Sequence, residues 1–532
     1  MTPGRVLLAA AAALIACSCS TLPQEASGLE PTARQFEAEI AHIERADPAS
    51  PAVLSARLTY AEFLLNESTG PCAPRLARAR AELRTAAESP KARAMFPDGW
   101  ARTADLEYRL HLARATCGSA STHDFELWAA ADSARRAVEL YRDAFDYHSM
   151  VIMQFDAGIP LHRLGQKTAA IAALRAAIAM DREYGFLKDT EENYGLLLSW
   201  EGEPSSPERV AALMHDFPKR HVTLQFRWHA GDAAVAVGSR RARLEDGKLT
   251  QSRAAASLEE RVRSDRDGWS VSYDVGRDSG YDAGVWPATQ GTRTPEDIFP
   301  PALLASPSFR VSRTGEFQSV SHSDAFAQRI ASDAARLIRA HAPAGRRART
   351  LTREALETAT AELSPELLEA AARRNYSLET AMWVGARLDQ GVWYSLSAPL
   401  ALPGIPRVVM QQSIEFAFTR TVPCTARSAE RTCIEIVLHV TPQQDALARW
   451  LADMRADGSL LHYASSLDIR IVTDPRSLMP CAREERAYWY ASVGNGRGDQ
   501  LLESEHTTSS TDWLASRDEA DRVEAPRRPV PH

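Results

Sequence analysis

The chain has 532 residues, enough for roughly two to four domains with a sizeable buried core, which excludes a single small module. Hydrophobic residues make up 45% and charged residues 25%, a globular balance that excludes a chain disordered or disulfide-dense throughout. Against 62 basic residues stand 69 acidic ones, a net charge of −7, so the basic footprint of a nucleic-acid binder is missing and DNA and RNA are not expected partners.

At the N-terminus, Arg5 precedes the apolar run Val6 to Cys17, which has the charged and apolar regions of a secretory signal but is too short to span a bilayer. The run ends in Leu14-Ile15-Ala16-Cys17, which resembles the lipobox of bacterial lipoproteins. That resemblance implies removal of the signal peptide, residues 1–16, and acylation of Cys17 as the first mature residue. Ser18 stands where an inner-membrane lipoprotein carries aspartate, which implies an outer-membrane anchor facing the periplasm. Residues 17–30, with Ser18, Ser20, Pro23, Ser27 and Gly28, read as the lipidated cysteine and its tether. Contact with the membrane is expected through the lipid alone.

Residues 31–218 read as an all-α domain of helical hairpins, with apolar residues at helical spacing broken by Pro, Gly and Asp. Leu54, Leu58, Ala61 and Leu65 mark one face, entered at Pro51, and Leu76, Leu83 and Ala86 another after Pro74. Further segments run from Asp98 to Thr116, His123 to Ala144, Gln166 to Asp181 and Pro207 to Phe217. Ala170, Leu174 and Ala177 repeat the spacing of Ala137, Tyr141 and Ala144 at an offset of 33 residues, with a fainter copy at Ala79, Leu83 and Ala86. Together with Gly158, Leu161 and Gly165 this resembles a tetratricopeptide repeat in degenerate form: Gln154, Arg182 and Pro160 depart from the family pattern. The resemblance implies a stack whose concave groove, lined here by Ile152, Phe155, Ile159 and His162, receives a peptide or protein segment. Core packing is the alternative use of those four residues. A stack would also bring Cys72, at the start of one helix, beside Cys117, at the end of another, for a disulfide.

Residues 219–516 change to a period of two: Val222, Leu224, Phe226; Trp269, Val271, Tyr273, Val275; Ile414, Phe416, Phe418; Ile434, Ile436, Leu438, Val440; Leu467, Ile469, Ile471. Phe309 to Ser312 and Phe317 to Val320 flank a hairpin turn with Gly315. Helices are expected over Ser323 to Ala342, Thr352 to Arg374 with a break at Ser364-Pro365, Ser377 to Leu388 and Thr441 to Asp457. The expectation is an α+β domain with a curved antiparallel sheet and packed helices, followed by a disordered tail over residues 517–532. Cys424 and Cys433 bracket a polar turn between strands and are expected to form a disulfide, which leaves Cys481 odd, either a free thiol or paired with Cys19 of the tether. Trp228, Trp269, Trp286, Trp383, Trp393 and Trp489 line an apolar ligand pocket or simply fill the core.

Motifs for zinc proteases, serine hydrolases and nucleotide binding are missing, no histidine or cysteine spacing matches a metal site, and no cofactor is expected. Adjacent acids such as Glu484 and Glu485 read as solvated surface. The expected role is therefore that of a lipid-anchored periplasmic interaction or scaffold protein that binds another envelope protein or peptide, and not an enzyme. A carrier of a lipid or other apolar ligand, and an enzyme with an unfamiliar site, are the alternatives.

Overall fold

The computed structural model describes residues 33–46, 51–66, 72–88, 97–217, 220–245, 248–275, 306–329, 364–425, 431–456, 462–492 and 500–513. Signal peptide, Cys17, tether and C-terminal tail lie outside them, as do Trp286 and the glycine-rich turn at 494–498. The helical half comprises α1 (Ala33–Ala46), α2 (Pro51–Asn66), α3 (Cys72–Glu88), α4 (Pro97–Cys117), α5 (His123–Asp143), α6 (Tyr147–Asp156), α7 (Gly158–Arg163), α8 (Lys167–Tyr184), α9 (Leu187–Glu201) and α10 (Pro207–Met214).

Consecutive helices pack as pairs, α4 on α5 and α8 on α9 among them, in a repeat-like bundle. Small residues set the spacing: Ala79, Ala137, Ala170 and Ala177 are all fully buried, each beside a larger neighbour such as Leu83 or Leu174. A side chain at Gly158 would come within 3.3 Å of the Ala170 carbonyl oxygen, so glycine lets these helices approach closely. Local chemistry fixes the ends. The Asp146 side chain accepts from the Ser149 N–H to start α6, Ser206 does the same for Arg209 at α10, and Gly185 ends α8 at φ +83°. A disulfide joins Cys72 to Cys117, tying the start of α3 to the end of α4 with their Cα atoms 6.2 Å apart.

The second half contains β1 (His221–Thr223), β2 (Gly231–Glu245), β3 (Lys248–Ser264), β4 (Gly268–Val275), β5 (Phe309–Ser312), β6 (Phe317–Val320), α11 (Pro365–Glu379), β7 (Arg387–Asp389), β8 (Trp393–Leu402), β9 (Ile405–Pro423), β10 (Thr432–Pro442), α12 (Gln444–Ala456), β11 (His462–Thr473), β12 (Pro480–Ser492) and β13 (Gln500–Trp513). Among the described residues, eleven strands form one antiparallel sheet in the order β6-β5-β4-β3-β2-β13-β12-β11-β10-β9-β8, and β1 pairs with β7 apart from it.

The expected curved sheet is corrected: this sheet is neither curled nor closed. Its strand order explains why. The first and last long strands, β2 and β13, pair in the middle of the sheet, which leaves β6 and β8 as opposite edges, and no ladder among the described residues joins them. A second correction concerns Ser377 to Leu388. The helix stops at Glu379, a single 3-10 turn follows at Ala381–Trp383, and Gly385 at φ +79° sends the chain into β7, where Leu388 pairs with Val222. Of the helix expected over Ser323 to Ala342, residues 323–329 are helical, and most of the rest lies outside the described residues. The Gly315 turn between β5 and β6 has φ +90°.

Both faces of β10 are buried. Ile434, Ile436, Leu438 and Val440 pack with Leu447 and Leu451 of α12. On the other face Glu435 and Val437 are fully buried as well, because Val437 enters the cluster of Tyr147 and Tyr184 from α6 and α8. Glu435 lies in a polar seam there: Arg470 donates to it at 2.6 Å, Arg420 at 3.2 Å and the Thr419 hydroxyl at 2.8 Å. Arg420 also pairs with Glu183 of α8 at 2.6 Å and lies over the Tyr184 ring. A side chain at Gly185 would collide with the backbone of Gln390, so the two halves meet backbone to backbone at this point.

Candidate functional site

Between α11 and the sheet lies a cavity of about 280 Å³, walled by residues of β2, β3, β4, β12 and β13 and roofed by the helix. The Ser364 side chain starts α11 by accepting from the Leu367 N–H, and Pro365 follows in the first turn. Ala372, Asn375, Tyr376 and Glu379 then recur at helical spacing and all line the cavity. Glu505, Thr507, Ser509 and Thr511 of β13 also line it, alternate residues of one strand. A helix face and a strand face that would ordinarily be apolar are polar here.

Two arginines converge on one carboxylate. Arg374 binds Glu485 at 2.7 Å, Arg483 pairs with the same group, and Arg483 also donates to the Asn375 side-chain oxygen at 3.4 Å. Burial pushes the Glu485 carboxyl up, but the two guanidiniums overcome it and hold the group ionised down to about 2. Glu260, only 4% exposed, goes the other way: burial and the nearby Glu379 charge raise it to about 8, against one weak hydrogen bond from the Tyr273 hydroxyl at 3.3 Å. Burial likewise raises Glu379, against the pull of Arg483, and raises Glu505, against Arg241. The buried Nε of Arg374 has no hydrogen-bond partner. Near neutral pH the cavity therefore holds a protonated carboxyl, Glu260, and an ionised one, Glu485, a combination able to donate and accept protons.

Glu484 and Glu485 do point to opposite faces, but neither is solvated surface: Glu484 pairs with Arg486 at 2.9 Å and His506 at 2.8 Å, while Glu485 enters the cavity. The tryptophans are elsewhere. Trp383 and Trp489 belong to the main core, Trp228 to a neighbouring cluster against which Trp269 packs, and Trp393 stacks on His439. None of these five lines the cavity.

In the helical half, Phe155 and Ile159 are half-buried against the cluster that contains Trp200, and the exposed His162 stacks its ring on Trp200 at 4.4 Å. Ile152 stands apart at 42% exposed. Larger exposed aromatic groups lie on α5, where Phe125 is 69% and Trp128 48% exposed. A second disulfide joins Cys424 to Cys433, and the buried Cys481 thiol lies beside it; the three sulfurs lie within 4.8 Å of one another. Among the described residues no helix is long and apolar enough to cross a membrane. No family model matches the chain, and no curated protein does either.

Proposed function

We propose that this protein is a lipid-anchored envelope interaction protein, fixed to the outer membrane through Cys17, whose tetratricopeptide-like hairpins receive a segment of another envelope protein. The observation that carries the reading is α5. Its Leu127, Ala130, Ala131 and Ala134 are completely buried, while Phe125 and Trp128, one turn apart, present large apolar area left exposed among the described residues. A photo-crosslinking amino acid at position 128 in native cells is expected to give one discrete protein adduct, lost when Phe125 is changed to serine. Absence of an adduct, or one indifferent to Phe125→Ser, would sink the docking role. The intact mass of the extracted protein tests the anchor: it should equal the chain from Cys17 plus two or three acyl groups, and an unacylated mass would remove it.

A second reading is favoured by the cavity under α11. Its charged and hydroxylic lining suits a small hydrogen-bonding ligand better than an acyl chain, and its unlike carboxyls suit a reaction that moves a proton. Calorimetric titration with small polyols and amines tests it: heat that is lost in Ala372→Leu, which fills the cavity, supports this reading, and heat unaffected by that change overturns it.

A further inference from the structure

The odd cysteine lies beside a disulfide, off the line of its S–S bond, so that a rotation of the Cys481 side chain is what attack requires. Cys481 Sγ is 3.5 Å from Cys433 Sγ, which is itself bonded to Cys424. A β-bulge produces the approach: Val472 of β11 pairs with Ala482 and Thr473 with Pro480, so Cys481 is the extra residue of β12 and has no partner in the ladder. Cys424, Cys433 and Cys481 then share one buried cluster with Val472, against which Val422, Ala482 and Trp513 pack. The Trp513 ring is fixed by its N–H donating to the Pro480 carbonyl at 2.8 Å.

We propose that Cys424, Cys433 and Cys481 form a thiol–disulfide exchange site in which Cys433 alternates between two partners. The Cys481 thiolate attacks Cys433 Sγ, the Cys433–Cys481 bond forms, the Cys424–Cys433 bond breaks, and the electron pair leaves on Cys424, which takes a proton from solvent. The proton of Cys481 is lost to solvent base. One disulfide and one thiol remain throughout, so no external oxidant or reductant is consumed. The two forms differ in what they tie. The Cys424 bond closes a local hairpin of sequence separation 9, whereas the Cys481 bond closes a separation of 48 and holds β10 to β12 across β11.

Burial pushes the Cys481 thiol up to about 12, Asp474 of the adjoining turn pushes the same way and Arg431 opposes, so exchange is slow near neutrality and base-driven. The thiolate fraction rises about tenfold per pH unit, which makes exchange about 100-fold faster at pH 9 than at pH 7. The test uses the folded full-length protein held at each pH, quenched in acid, unfolded, alkylated and mapped by mass spectrometry. The expected result is that alkylation moves from Cys481 to Cys424 while the Cys72–Cys117 bond stays intact, which separates local exchange from scrambling on unfolding. If, among Cys424, Cys433 and Cys481, only Cys481 is alkylated at pH 9, the proposal is overturned. In Cys424→Ser, oxidised glutathione should close Cys433 to Cys481; two persistent thiols in that folded variant also overturn it. If that variant does not fold, the measurement on the unchanged protein decides.

Discussion

The two halves bury acidic groups in different ways. In the helical half Glu82 meets Arg57 and Arg78 and Glu126 meets His111 and Arg114, while Asp181 accepts from Asn193 through one oxygen and keeps the other without a partner. In the sheet half, Glu260, Glu379, Glu485 and Glu505 share one cavity in which Arg374 and Arg483 are both committed to Glu485. The sequence distance differs too. Helices pack on their neighbours in the chain, whereas the ladder between β2 and β13 brings together Ser239 and Glu505, 266 residues apart. Local pairing lets the hairpins form piecewise, and the sheet waits for the end of the chain. Polar groups left under-satisfied in a cavity are where a ligand or a proton can act.

The largest test of this contrast is the seam where the halves meet. Glu435→Ala strips the buried partner from Arg420 and Arg470 and is expected to cost about 3–5 kcal/mol in denaturant unfolding, because two guanidiniums lose their shared carboxylate. A loss below about 1 kcal/mol would mean that the seam does not join the halves. Replacing both Cys72 and Cys117 by serine should cost about 4 kcal/mol, the chain-entropy value for its 45-residue separation. Hydrogen exchange should then accelerate in α3 and α4 and not in β10; acceleration spread through the sheet would contradict the local character of the helical half.

The cavity makes a pH signature. Glu260 keeps its proton in the fold up to about 8, while in the unfolded chain it ionises near the ordinary carboxylate value of about 4.3. Its contribution to stability is complete below that ordinary value and is lost as pH rises toward 8, by up to about 1.4 kcal/mol per pH unit within the window. Glu260→Gln should flatten the decline in unfolding free energy between pH 5 and pH 8; an unchanged slope would move the effect to another group. The smallest expected effect is Ser364→Ala, about 1 kcal/mol from the lost cap of α11, read as a shift in thermal midpoint.

Legibility followed the kind of burial. The alternation of Ile434, Ile436, Leu438 and Val440 located β10 because one face carries only apolar groups. The same rule passes over β13, whose Glu505, Thr507, Ser509 and Thr511 offer no apolar alternation although they face a cavity. It also passes over β2 and β3, where alanine and charged residues hide the period. The expected helices also break between Arg374 and Ser377, so Asn375 and Glu379 fall on no shared face, whereas in the structure α11 runs through to Glu379 and carries both to the cavity with Ala372 and Tyr376.

By itself the sequence determined that helices precede strands, that α10 begins at Pro207, and which face of β10 belongs to the core, because caps, periodicities and turn residues act over a few neighbours. Tertiary structure alone decided that β13 returns to β2, that the sheet stays open, that Glu435 is buried beneath the helical half, and that four elements, β3, α11, β12 and β13, bring charged groups to one cavity. Those outcomes depend on pairings between residues tens to hundreds of positions apart, whose energies arise only once the intervening chain has closed.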